Sequence, residues 1–160
     1  MKKIKKILTN QQGFSTLVYS IAILNFLIIV TVAVIVNMQF QSLSLDIYDT
    51  ASYSLDEYIT VKAKENIDSI KNGHDYILEL DTDEYIEYLA RNLGVNENLA
   101  GITANGREFL ISNVSIEFVD TSQMHLKVIF DLYMPIEVAG LSFAPLTATI
   151  YTDCEYQSKF

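Results

Sequence analysis

The chain has 160 residues, half of them hydrophobic, with eleven Lys/Arg against twenty Asp/Glu and a formal net charge of −9. Lys2, Lys3, Lys5 and Lys6 are the only basic residues ahead of Lys62, so the part beyond residue 45 holds seven basic and twenty acidic residues, a balance of −13. Such a surface repels phosphate backbones and excludes nucleic-acid binding through a basic patch. The single cysteine, Cys154, excludes an intrachain disulfide framework.

The first segment, residues 1–13, is a short basic leader. A transmembrane helix is predicted over 14–37: no charged residue stands between Lys6 and Asp46, and fourteen of the twenty residues from Leu17 to Val36 are Leu, Ile, Val or Phe. About 20 helical residues at ~1.5 Å each cover a hydrocarbon layer of ~30 Å. Lysines before the run and none after it until Lys62 predict a cytoplasmic N-terminus and an exported remainder in a single-pass membrane protein. A cleaved secretory signal would have a shorter apolar core, of about 7–15 residues, and a small-x-small site; Asn37-Met38-Gln39-Phe40-Gln41 offers none.

The junction Gly13-Phe14 carries more information. A lysine-rich leader, Asn10-Gln11-Gln12, then Gly13-Phe14-Ser15-Thr16-Leu17 opening an uninterrupted apolar run resembles the class III signal of type IV pilins and pseudopilins. That resemblance implies cleavage by a prepilin peptidase between Gly13 and Phe14, with Phe14 the N-methylated first residue of the mature chain. The family normally has Glu at the fifth mature place, where it compensates a neighbour's charged N-terminus inside the membrane; this chain has Val18, which points to a minor subunit rather than the bulk fibre protein. Tyr19 stands at the sixth place, where Flp-type pilins often carry Tyr. The competing reading is an uncleaved signal anchor in which Gly13 only marks a helix start.

Asn25, an amide in mid-run, is a candidate for contact between neighbouring membrane helices, with Val18 and Tyr19 beside it. Beyond the membrane, Leu43, Ile47, Ala51, Leu55, Tyr58 or Ile59, Ala63, Ile67 and Ile70 recur at three- and four-residue steps, predicting that the helix continues over 38–72 with one apolar stripe and Gly73 as its cap. A second helix is predicted over 81–94: Asp81 with Glu84 reads as a capping box, Tyr85, Ile86, Leu89 and Leu93 as the apolar face, and Gly94 as the stop. The acidic cluster Asp81, Asp83, Glu84 and Glu87 suits a first helical turn better than a metal site.

Residues 95–107 read as loop, with Asn105-Gly106 a turn. The period then becomes two over 108–160. Val114, Ile116 and Phe118, then Leu126, Val128, Phe130 and Leu132, predict a hairpin with one buried face, stopped by Pro135. A connection through Val138–Leu141 leads to a last strand, Leu146 to Tyr156, with Cys154 in the inward phase as a buried thiol.

The predicted architecture is therefore α+β: a long N-terminal helix packed on a small antiparallel sheet of three or four strands, with one further short helix. The ending Tyr133-Met134-Pro135-Ile136, a Gly-containing connection, and Leu146-Thr147-Ala148-Thr149-Ile150-Tyr151 resembles that of TadE-like pseudopilins, accessory components of tight-adherence pili. The resemblance implies a minor component of such a pilus, or of a related secretion or conjugation machine, in the membrane or in an extracellular filament that serves adhesion. Its implied partners are membrane lipid, other pilin-like subunits, the prepilin peptidase and a pilus assembly platform. His74 and His125 stand in no zinc or triad spacing. No catalytic residue, metal or cofactor is expected. The alternative function is a signal-anchored exported binding module.

Overall fold

A computed structural model describes residues 11–71, 80–120, 125–138 and 140–155. The elements in order are helix α1 (Gln11–Lys71), helix α2 (Thr82–Leu93), and strands β1 (Ala100–Ile102), β2 (Glu108–Asp120), β3 (His125–Val138) and β4 (Leu141–Glu155). The four strands form one sheet in the order β1-β2-β3-β4 with every pair antiparallel. This is the α+β fold expected from the sequence. By its contacts the chain divides into two units, Met1–Gln41 and Ser42–Phe160.

In the second unit the helical stripe is real. Leu43, Ile47, Ala51, Leu55, Tyr58, Ile59 and Ala63 are all buried, whereas Ile67, the next position in the series, is exposed. The stripe packs against the inner sheet face formed by Leu126, Val128, Phe130, Leu132 and Met134, each essentially inaccessible. One polar clasp sits in this layer: the hydroxyls of Ser52 and Thr152 lie 2.6 Å apart. Pairing them spares the buried Thr152 hydroxyl and the half-buried Ser52 hydroxyl the cost of desolvation without a partner.

Helix α2 begins and ends where its caps place it. The Asp81 carboxylate accepts from the amides of Asp83 at 2.9 Å and Glu84 at 3.3 Å, and Gly94 closes the helix in the left-handed conformation at φ 67°. Glu84 does not complete the box; it reaches across to Lys62 of α1 at 2.6 Å. Tyr85, Leu89 and Ala90 form the buried face. Tyr58 of α1 meets Tyr85 edge-on at 6.0 Å, and its hydroxyl accepts from the Asp81 amide at 3.0 Å.

The sheet departs from the sequence reading in four places. Residues 100–102, read as loop, form β1, an extension three residues long paired to Glu108–Leu110. The expected Asn105-Gly106 turn joins it to β2, with Gly106 at φ 74°. Strand β2 begins at Glu108 and changes phase at a bulge between Ser112 and Ser115, where Asn113 has φ 54°. Phe109 and Ile111 are buried below the bulge and Ile116 above it, so the extra residue keeps both halves facing the core despite opposite parity.

Pro135 does not stop β3, which runs on to Val138. It sits in a register break between the pairs Met134↔Leu146 and Ile136↔Phe143, and β2 pairs with β3 only as far as Tyr133. A proline at a bulge takes no ladder bond from either neighbour. Accordingly β4 starts at Leu141 rather than Leu146, paired to Val138. Gly73, the link His74-Asp75-Tyr76 and residues 121–123 of the hairpin turn lie outside the described residues.

Candidate functional site

The stretch that stands out chemically is the first part of α1. Every residue from Phe14 to Thr31 is exposed, roughly five turns with apolar side chains on all sides. A water-facing helix needs one polar face, and this one has none. It is long and apolar enough to cross a membrane.

Two of its hydroxyls find their partners within the helix. The Ser20 hydroxyl donates to the Thr16 carbonyl at 2.9 Å and the Thr31 hydroxyl to the Leu27 carbonyl at 2.8 Å, so both are satisfied within the helix. Asn25 is different. Its amide is exposed, and no described residue gives it a hydrogen bond.

The candidate residues divide by face. At 100° per residue Phe14, Val18 and Asn25 fall within an arc of about 40°, whereas Tyr19 lies about 100° or more from Val18. Val18 and Asn25 therefore share a face that Tyr19 does not. The Gly13-Phe14 junction lies inside α1, whose helical residues begin at Gln11.

The second unit offers little reactive chemistry. Among the described residues no three His, Cys, Asp or Glu side chains come together in a way that could hold a metal ion. Two of its ion pairs, Lys62–Glu84 and Arg91–Glu57, tie α1 to α2. Arg91 bonds Glu57 at 2.7 Å, and Asn92 donates to both Ser54 at 3.0 Å and Glu57 at 3.1 Å. The Asn92 bond, ahead of the Arg91 bond and charge, holds the Glu57 carboxyl below its ordinary range against a smaller opposing effect of burial. Burial works to lower the Lys62 pKa, but the Glu84 bond and charge outweigh it and raise it.

Cys154 lies in the inward phase, as its register predicts, but is half-buried, with its Sγ 3.6 Å from Asp56 Oδ1. Burial, and then the Asp56 carboxylate, push its thiol up to about 11, so it is a poor nucleophile. On the outer sheet face a groove of about 480 Å³ is lined by Ile102, Leu110, Tyr133 and Pro135 among others, with Glu108 its one carboxylate among the described residues. A lone carboxylate on an apolar groove is no acid–base pair.

Sequence reasoning passed over Leu141 and Phe143, assigned there to a connection; both are exposed at the tip of the β3–β4 hairpin. The usable signal was the absence of charge from Val138 to Thr152. Set against known proteins, the chain matches no family model, no curated protein and no solved structure.

Proposed function

We propose that this protein is a minor, pilin-like membrane component, made with a class III leader, cut between Gly13 and Phe14, and assembled with similar subunits through its N-terminal helix. The carrying observation is the conjunction of four leader lysines, the Gly13-Phe14 junction and a following helix that is uncharged and exposed on every side. The ending of the chain, similar to that of TadE-like pseudopilins, is the second support. In this reading the partners are lipid, other pilin-like subunits, the prepilin peptidase and an assembly platform, and the acidic second unit is displayed outside the membrane.

The helix would associate through the face shared by Phe14, Val18 and Asn25. An amide without a partner in hydrocarbon is costly, and a neighbouring helix can supply the missing bond. Val18 in place of the family's Glu removes the usual counter-charge for a neighbour's N-terminus, which suits a subunit present in few copies.

Mass measurement of the protein recovered from peptidase-competent cells tests the processing. The expected product lacks residues 1–13 and carries one methyl group on Phe14, and Gly13→Val abolishes both changes. A chain still carrying its leader overturns the pilin reading in favour of a fixed anchor with an exported binding module. Association is tested separately by single cysteines in a Cys154→Ser background. Crosslinking at Asn25 should far exceed that at Leu27, and equal crosslinking refutes the shared face.

A further inference from the structure

Three exposed apolar residues of the sheet lie toward one end. Ile102 at the end of β1 is 69% exposed, and Leu141 and Phe143 at the start of β4 are 64% and 55% exposed. Ile102 pairs with Glu108 at the beginning of β2, and Phe143 pairs with Ile136 near the end of β3, so all three lie toward the same end of the sheet, Ile102 on one outer strand and Leu141 and Phe143 on the other. The opposite end holds the ionisable positions: Glu117, Lys127 and Asp153 lie in one cross-strand row, and Asp120, His125 and Glu155 in another. Among the described residues, the large apolar side chains exposed toward that end are Val119 and Tyr151.

Contacts within the second unit show which end is which. Ser52 meets Thr152, and one turn further Asp56 meets Cys154, so α1 and β4 ascend together. Thr152 back to Leu141 is about 36 Å of strand, whereas Ser52 back to Ser42 is about 15 Å of helix. The hairpin tip therefore lies toward the end of this unit at which α1 arrives. Leu45, on the first turns of α1 in this unit, is 63% exposed at that same end.

Ser42 follows the last residue of the apolar run, Val36, by six residues, at most about 20 Å of chain in any conformation. Resting on the reading that this run spans a bilayer, we propose that the tip of the β3–β4 hairpin, through Leu141 and Phe143, dips into the interface of the membrane that holds the anchor.

Charge favours this occupant. From Val138 to Thr152 no residue is ionisable except Tyr151, in a unit whose balance is −13, so this is the part an anionic leaflet repels least. The tip is also two-faced: Leu141 and Phe143 alternate with Ser142, whose hydroxyl is 3.5 Å from Glu137. An apolar face opposite a polar one suits a segment lying in the interface rather than crossing it.

The test uses the full chain, Cys154→Ser, in phosphatidylcholine vesicles with a minority of phosphatidylglycerol. Single cysteines at Leu27, Leu141, Phe143 and Tyr151 carry an environment-sensitive fluorophore. Labels at Leu141 and Phe143 should shift to the blue and lose most of their emission to lipids spin-labelled near the headgroup, while the label at Tyr151 keeps nearly all of its own. The Leu27 label should be quenched by lipids spin-labelled near mid-bilayer. Quenching at Leu27 without quenching at Leu141 and Phe143 overturns the inference and leaves the anchor standing. A blue shift at the tip without lipid quenching means that protein covers it, and also overturns the inference. No quenching at Leu27 removes the spanning reading and this inference with it.

Discussion

Two stretches of one uninterrupted helix live by different rules. From Phe14 to Thr31 no position of α1 is buried, whereas from Leu43 to Ala63 seven positions along a single stripe are. Both stretches are helical because neither contains proline and both are rich in residues that a helix tolerates, yet the first has no polar face and the second has one. Local propensity sets the helix; the distribution of polarity around it sets the solvent on each side. The second stretch is matched to a sheet within the same chain, and the first is long and apolar enough to cross a membrane.

The contrast is broken most strongly by truncating the stripe. Leu55→Ala should destabilise the second unit by about 2–5 kcal/mol in denaturant unfolding, because its side chain is wholly inaccessible and leaves a cavity. Leu27→Ala should leave that unfolding unchanged. Next, Ile28→Arg places a charge in the middle of the apolar run and should cost about 3 kcal/mol of membrane insertion, read as the protein's loss from the membrane fraction. The same substitution should not alter the fold of the second unit.

Smaller effects sharpen the picture of how α2 is fixed. Asp81→Ala removes the acceptor for two amides at its start and should cost about 1 kcal/mol of thermal stability. The weakest effect depends on pH. Because the Glu57 carboxyl is held below its ordinary value of 4.5, its contribution is complete above that value and is lost as pH falls through the depressed one. Asn92→Ala should therefore be less stable than the parent at neutral pH, and the gap should narrow on acidification.

Much of this was legible in the sequence where a repeat of several residues carried the signal. The stripe from Leu43 to Ala63, the caps Asp81 and Gly94, and the inward phase of Leu146, Ala148, Ile150 and Cys154 all follow from spacing alone. What escaped was too short or too irregular to repeat. Ala100-Gly101-Ile102 has no alternation to detect, and its pairing exists because the turn at Asn105-Gly106 delivers it to β2. Gly101 fits there because a Cβ would meet the Phe109 ring at 2.6 Å. Pro135 was expected to end its strand, since a proline lacks a ladder donor, but the register break beside it removes the need for one.

The candidate membrane face was legible in part. Asn25 is conspicuous in any reading of the run, whereas the separation of Tyr19 from Val18 becomes plain only when the helix is drawn as a cylinder. The exposed hairpin tip was missed because Val138-Ala139-Gly140-Leu141 looks like a linker until the pairing of Val138 with Leu141 is known.

The extra residue at Asn113 carries a lesson for any comparison of this chain with another. Were it deleted, β2 would become regular, but Phe109 and Ile111 would turn to water and Leu110 and Ser112 would turn inward. A relative that lacks the kink must have its lower half written in the opposite parity, greasy where this chain is polar. Two such sequences could share every contact in space and still fail to line up letter by letter.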